Sequence, residues 1–239
     1  MPRLVHVAIE ARAGGALCAL AAAQAAAGAG DAGGVLRGLE AITDALRGMQ
    51  GIMARMTERC DPYIYYHRVR WPMAGWRGND ALPDGLIYDG VGDGVTPQQY
   101  YGETGAQSAI VPAFDAALGI THEENGVKAA WLRAYLRDMR GHMPPQQRAF
   151  LAAREAAPSL RAAALAAGPG GPLRASYDVA VAELSAFRVA HRNFAAAYIA
   201  QHAPRGDEKG TGGSAFMPAL AGYQRQTARA KLSGAEGSA

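Results

Sequence analysis

Seven large apolar residues between positions 35 and 56 recur at alternating steps of four and three, which is the spacing of one face of an α-helix. They are Val35, Leu39, Ile42, Leu46, Met49, Met53 and Met56. Asp31 precedes this stripe and is a suitable helix cap. The pattern predicts an amphipathic helix over 35–58 whose methionines pack in a core.

The remainder of the chain also favours helix, because alanine dominates its apolar residues while valine and isoleucine are sparse. Helices are predicted over 4–28, 105–119, 127–142, 145–156, 172–202 and 215–232, with a short one after Pro158. Residues 62–104 are crowded with Gly, Pro, Asp and aromatic residues, which predicts a long irregular loop. We therefore expect an all-α helical bundle with this loop laid across it.

The charge pattern argues against a nucleic-acid partner. The formal net charge is only +3, and the basic residues are scattered along predicted helices rather than clustered with aromatic residues. Residues 13–29 resemble a signal-peptide core, but Glu10 and Arg12 precede them and their Ala/Gly content is weakly apolar. They are also too short and too weakly apolar for a membrane span, so no membrane partner is expected.

Two cysteines, Cys18 and Cys60, are too few for a disulfide framework, and neither belongs to a Cys-x-x-Cys pair. This favours a reducing compartment, and we expect a cytoplasmic protein.

His191 is the most informative of the six histidines. It lies on a predicted inward stripe of the long helix 172–202, and the stripe comprises Tyr177, Ala180, Leu184, Arg188, His191, Ala195 and Tyr198. An inward histidine of a bundle can ligate a haem iron, and Arg188, one turn earlier, suits a propionate or another acid. Taken alone, the residues favour the commoner alternative, a hydrogen-bonded core histidine.

Two other segments have a functional and a structural interpretation. Arg68 and Arg70 lie among tyrosines and tryptophans, which suits an aromatic ligand with a carboxylate, but also ordinary cation–π packing. Residues 209–214, KGTGGS, precede the last predicted helix and suit either close approach to a ligand or a flexible hinge with Ser214 as a cap. The residues alone favour the hinge.

Several segments, taken together and in order, resemble the indoleamine 2,3-dioxygenase family. They are PYIYYHRVRWPMAGWRGN (62–79), LPDGLIYDG (82–90), GAQSAIVPAFDAALGI (105–120), YLRDMRGHMPPQQRAFL (135–151), SAFRVAHRNFAAAYI (185–199) and KGTGG (209–213). The most specific are the Arg-x-x-His of the long helix, the Gly-Thr-Gly-Gly loop, the Met-Pro-Pro turn and the Gly-Trp-Arg-Gly-Asn segment. The resemblance runs from about residue 4 to residue 232.

The resemblance implies roles for ten residues. His191 matches the family's iron ligand, and the cofactor haem b is implied to be held also by Arg188, Asp115 and Ser108. Arg70, Thr211 and Gly212 match residues that bind the substrate. His6, Tyr65 and Tyr66 match distal residues of the catalytic pocket, where the family has a serine and two phenylalanines.

The activity implied by the resemblance is opening of the indole ring of L-tryptophan, or a related indole, with O₂ to give N-formylkynurenine. Two alternatives stay open: a haem protein of the same fold that binds an indole but performs other chemistry, and a haem-binding domain without catalysis. The oligomeric state and the reductant do not follow from the sequence.

The resemblance begins where the family's large haem domain begins, so the family's smaller N-terminal domain has no counterpart in the sequence. We expect a fragment of a longer protein, with the large domain over 1–232 and a disordered tail over 233–239.

Overall fold

The computed structural model describes residues 2–122, 127–204, 210–211 and 216–233, with only the backbone described for Pro2 and residues 127–132. The helices are α1 (Pro2–Gly28), α2 (Ala32–Ala54), α3 (Met56–Arg59), α4 (Pro62–Ile64), α5 (Ile110–Leu118), α6 (Val127–Gly141), α7 (Pro145–Ala156), α8 (Leu160–Ala166), α9 (Pro172–Ala195) and α10 (Phe216–Arg229). The described residues form no strand, and a single antiparallel bridge joins Leu86 to Gln98. The predicted all-α class is confirmed.

Helices α1 and α2 form a closely packed hairpin. The turn uses Gly30 at φ +73°, a left-handed conformation that glycine adopts without strain. Asp31 then caps α2 by accepting a hydrogen bond from the Gly34 amide at 3.0 Å, which confirms the predicted cap. The helices meet through small residues, since a Cβ on Gly38 would lie 2.2 Å from the Cβ of Ala23. The hairpin therefore depends on the absence of a side chain at position 38.

The apolar stripe of α2 is the centre of the core. Leu39, Ile42, Leu46 and Met49 are fully buried, and Met53 is nearly so, which confirms internal packing for these two methionines. Met56 instead begins α3, is partly buried and packs against a second cluster. Helix α9 packs on the other side of α2, and α10 packs on α9. Because α1, α2 and α9 share one hydrophobic cluster, their relative positions are set by side-chain packing.

The loop predicted over 62–104 is irregular only in its later part. Asp61 caps a new helical turn by accepting from the Ile64 amide, and Pro62 occupies its first position. A proline there costs no hydrogen bond, because the first amides of a helix have no partner within it. The turn continues as a π-helix over Tyr65–Val69 and a 3₁₀ turn over Trp71–Met73. Asp61-Pro62 therefore ends one helix and starts another.

The other predicted helices are close to the observed ones, with two differences. The helix predicted over 105–119 is a 3₁₀ turn, Gly105–Gln107, followed by α5, whose first turn contains Pro112. The helix predicted over 172–202 ends as α9 at Ala195 and continues as a π-helix over Ala196–Ala200. The tail prediction, apart from Ser233, lies outside the described residues.

Within the described residues, one helix segment, Arg3–Gly28, passes a length and composition test for a membrane span. Core helices and signal sequences pass the same test. Its residues Ala13, Ala16, Leu20 and Ala23 are buried in the core.

Substituting Gly38 by alanine should lower the free energy of unfolding by about 1–3 kcal/mol, because the new methyl group overlaps Ala23 and forces the helices apart. Gly51 on the same helix is the matched control, since a Cβ there meets nothing within 4 Å. Gly51→Ala should raise stability by about 0.5–1 kcal/mol through helix propensity alone. Urea denaturation of both variants measures the difference, and a Gly38→Ala protein as stable as Gly51→Ala would contradict the close packing.

Candidate functional site

The inward stripe of α9 is interrupted at one residue, His191. Tyr177, Ala180, Leu184, Arg188, Ala195 and Tyr198 are all buried, as the periodicity predicts. His191 lies on the same stripe but its side chain is exposed. In the described part of the chain no hydrogen bond reaches its ring. The alternative of a hydrogen-bonded core histidine is therefore not what the structure shows.

The surroundings of His191 lower the pKa of its ring from 6.5 to about 4, first through desolvation and then through the nearby charges of His6 and Arg188. The imidazole is therefore neutral at pH 7, which is the form that binds a metal ion.

His6 lies on α1 and is also exposed. It is close enough to His191 for its charge to act on that ring's pKa. The packing of α1 and α9 against α2 thus brings together two of the residues assigned from the resemblance.

Three further predicted residues lie in the helical turn after Asp61. Tyr65 and Tyr66 are buried, and burial raises the pKa of Tyr65, so its hydroxyl is protonated. The Tyr65 ring meets Tyr198 edge-on, at 5.7 Å between centroids. Arg70 is also buried, and its guanidinium lies over the ring of Tyr66 at 5.1 Å and near Trp71 at 5.7 Å. The cation–π contacts expected of a structural role are therefore present.

A buried ion pair joins α5 to α9 behind His191. Arg188 donates from Nη2 to Asp115 Oδ2 at 2.6 Å, and from Nη1 to the Thr227 hydroxyl of α10. Burial alone would raise the pKa of the Asp115 carboxyl, but the Arg188 guanidinium and the His122 ring hold that pKa below its usual range. Asp115 is therefore ionised, and the pair that the resemblance implied is present.

Sequence reasoning missed the neighbours of this pair. His122 Nε2 lies 3.0 Å from Asp115 Oδ2, and its Nδ1 lies 2.6 Å from Gln226 Oε1. The ring of Tyr223 meets the His122 ring at 4.7 Å between centroids. Position 122 belongs to no periodic stripe and to no motif. Its partner Gln226 lies 104 residues later in the sequence, so no local pattern indicated the contact.

Thr211 lies beside the long loop. Its hydroxyl donates to the Glu103 carbonyl at 2.5 Å, and its own carbonyl would lie 2.4 Å from a Cβ added at Gly102. The two backbones therefore touch at Gly102, while the predicted close approach of a ligand to the glycines of 209–214 stays a prediction. Gly212 lies outside the described residues.

Ser108 has a structural contact of its own. Its hydroxyl accepts from the Ile110 amide at 3.3 Å, at the start of α5. A hydroxyl in that position helps to begin the helix that carries Asp115. No contact in the structure joins Ser108 to His191 or Arg188, and its implied cofactor role stays a prediction.

A separate groove of about 700 Å³ lies at the C-terminal end of α9. It is lined by residues 57–62 and by Asn193, Phe194, Ala197 and Tyr198. None of the residues predicted for the site lines it.

The donors around His191 fit a haem better than a bare metal ion. Among the described residues, no group of three or more His, Cys, Asp or Glu side chains is placed to hold a metal, so an ion at His191 would need donors from another molecule. A porphyrin supplies such donors, with a single neutral histidine as axial ligand. Arg188, one turn before His191, is a suitable partner for the porphyrin's acidic edge.

The chain is similar to known proteins over most of its length. The family model described as indoleamine 2,3-dioxygenase matches residues 3–230. An indoleamine 2,3-dioxygenase 2 of Mus musculus is 35% identical over 83% of the chain, and an indoleamine 2,3-dioxygenase 1 of Rattus norvegicus is 32% identical over 96%. A 6-hydroxytryptophan 2,3-dioxygenase of Fusarium equiseti is 30% identical over 82% of the chain.

The chain spans about half the length of these relatives: 50%, 58% and 46% of them, respectively. The match covers nearly all of the chain and includes the helices that carry His191, Arg188 and Asp115. The chain belongs to the indoleamine 2,3-dioxygenase family.

Proposed function

We propose that the protein binds haem b through His191 and takes part in oxidative opening of the indole ring of L-tryptophan, or of a related indole, with O₂ to give N-formylkynurenine. One observation supports this most: His191 is the single exposed member of an otherwise buried helical stripe, and its ring is neutral. A packed core would have enclosed this ring or given it a hydrogen-bond partner. An exposed, neutral imidazole suits a role as a ligand to a metal ion.

The residues that would hold the haem come from three helices. His191 on α9 offers a neutral ring nitrogen to the iron, and Arg188 offers a cation to a propionate on the same side of the helix. Asp115 on α5 fixes the direction of the Arg188 guanidinium through the 2.6 Å contact. When bound, the haem would supply the iron chemistry that allows O₂ to react with an indole ring.

The residues that would hold the substrate come from the segment after Asp61. A buried guanidinium such as that of Arg70 binds a carboxylate strongly, because little water competes for it. The rings of Tyr65 and Tyr66 would form an aromatic wall for the indole. Thr211, held against the long loop, would close the side of the site at which the substrate's amino-acid group lies.

The relatives leave the indole substrate open. One of them is named for 6-hydroxytryptophan, and the tyrosines of this chain make the wall more polar than phenylalanines would. L-tryptophan is therefore the first substrate to test, with hydroxylated indoles as the next group.

The decisive experiment is an absorption titration of the purified chain with haem, followed by reduction and exposure to O₂ with and without L-tryptophan. A histidine-type Soret band, a tryptophan-dependent shift and the absorbance of N-formylkynurenine are expected. A shift without that product would replace the dioxygenase with another indole chemistry. A chain that takes up no haem would contradict the proposal for this chain.

Replacing His191 by alanine should abolish stable haem binding, because the residue that would hold the iron is lost. His142→Ala is the control, since His142 is a partly buried histidine outside the site, with its ring against Tyr100 and Tyr101. The Soret band of each variant after removal of free haem measures the effect. An unchanged band in His191→Ala would remove His191 from the site.

Replacing Arg70 by alanine should weaken L-tryptophan binding by about 1.5–3 kcal/mol, the value of a hydrogen bond to a charged group. Arg68→Ala is the control, because Arg68 is exposed two residues earlier on the same segment and should have no effect. Arg70→Lys keeps the charge but loses the two-pronged geometry, and should give an intermediate affinity. Equal affinities for the Arg70→Ala and Arg68→Ala proteins, measured by the Soret shift, would exclude Arg70 from substrate binding.

A further inference from the structure

His122 lies where three helices meet. It follows α5 in sequence, its ring nitrogens face Asp115 of α5 and Gln226 of α10, and its ring contacts Tyr223 of α10. Arg188 of α9 approaches the same side of the ring, with Nη2 3.4 Å from Nε2. Among the residues that the structure describes, these four are the charged, titratable and amide groups in contact with the ring.

The hydrogen-bond directions at this ring are restricted. Asp115 is ionised and can only accept, so Nε2 of His122 donates to Oδ2. Arg188 can only donate, so it binds the same carboxylate oxygen as Nε2 rather than the ring. The Asp115 oxygen Oδ2 is therefore held from two directions, by His122 and by Arg188.

The second oxygen of Asp115 has no such support. Oδ1 is buried without a hydrogen-bond partner among the described residues. The orientation of the carboxylate consequently depends on Oδ2 alone, with its two donors at 2.6 Å and 3.0 Å. Without His122, Arg188 would be the one remaining hydrogen-bond donor to the carboxylate among the described residues, and Arg188 is the residue that Asp115 is expected to orient.

We propose that His122 is a positioning residue of the haem site, which fixes the Asp115 carboxylate and through it the Arg188 guanidinium beside His191. The inference rests on the proposed function, because it concerns how Arg188 meets a bound haem. Gln226 and Tyr223 have the supporting role: the Gln226 side-chain amide lies 2.6 Å from Nδ1 and the phenol ring limits rotation of the imidazole. His122 itself touches neither haem nor substrate and is not a catalytic residue.

The test is the rate at which the haem-loaded protein loses haem to an excess of apomyoglobin. His122→Leu should increase this rate about tenfold or more, the usual effect of removing a residue that orients a metal site's neighbours. His122→Asn, whose amide can still donate to Asp115, should restore a rate close to that of the wild-type protein.

His142→Leu is the matched control for general destabilisation. His142 is also partly buried and bonds through Nδ1 to the Asp138 carbonyl at 3.2 Å, but it has no contact with the Arg188 cluster. Thermal unfolding of the apoproteins measures how much each leucine substitution lowers stability, so that the two haem-loss rates can be compared at known stabilities. A haem-loss rate that rises no more in His122→Leu than in His142→Leu would overturn the proposal.

Measurements on the apoprotein distinguish a failure of this proposal from a failure of the proposed function. If the wild-type chain takes up no haem, the haem assignment fails, and the positioning claim is decided by a cycle of His122→Leu, Arg188→Met and the double variant. Coupled residues give non-additive effects, so the double variant should melt close to Arg188→Met alone. Additive losses would show that His122 does not position Arg188.

Discussion

The Asp115 carboxylate is the interaction on which the geometry around His191 depends. It is buried, so its charge would be costly without partners, and its partners come from other parts of the chain: Arg188 from α9 and His122 from the segment after α5. Thr227 of α10 accepts from the same Arg188 and donates to the Tyr223 carbonyl of its own helix. One ionised group therefore fixes α5, α9 and α10 to each other at the turn that precedes His191.

Helix α9 combines a packing function with a binding function on the same stripe. Tyr177, Ala180 and Leu184 are fully buried, and the Tyr177 hydroxyl donates to the Leu118 carbonyl at the end of α5. One turn later the stripe carries Arg188 and, after a further turn, His191, where side-chain packing gives way to an ion pair and then to an accessible ring. Beyond Ala195 the helix widens to a π-helix, whose Tyr198 hydroxyl donates to the Cys60 carbonyl at 2.8 Å. The buried first part of the helix thus fixes the position of the part that carries Arg188 and His191.

The sequence predicted the elements that depend on near neighbours. The stripe of α2 and its Asp31 cap could be read because helix periodicity and capping act over three or four residues. The helical turn that starts at Asp61-Pro62 lies within the segment predicted to be irregular, because such a dipeptide can end one helix or begin another and only the residues after it decide. Asp115 and Arg188, 73 residues apart, were paired only through the family resemblance. No motif includes His122, Tyr223 or Gln226, and their contacts were not predicted, because no local sequence pattern indicates that these segments are in contact.

The cations around His191 serve two purposes in the proposed site. A histidine binds iron only when its ring is neutral, and burial favours the neutral form by penalising charge. Positive neighbours act in the same direction, and both His6 and Arg188 lower the pKa of the His191 ring. Arg188 would also attract the anionic edge of a haem. The same cation would therefore attract the cofactor to His191 and disfavour protonation of the His191 ring, which would compete with binding of iron. Asp115 holds the Arg188 charge at a fixed position on the turn before the ring. The orientation of one carboxylate therefore affects both the protonation of the ligand and the place where an anion would bind.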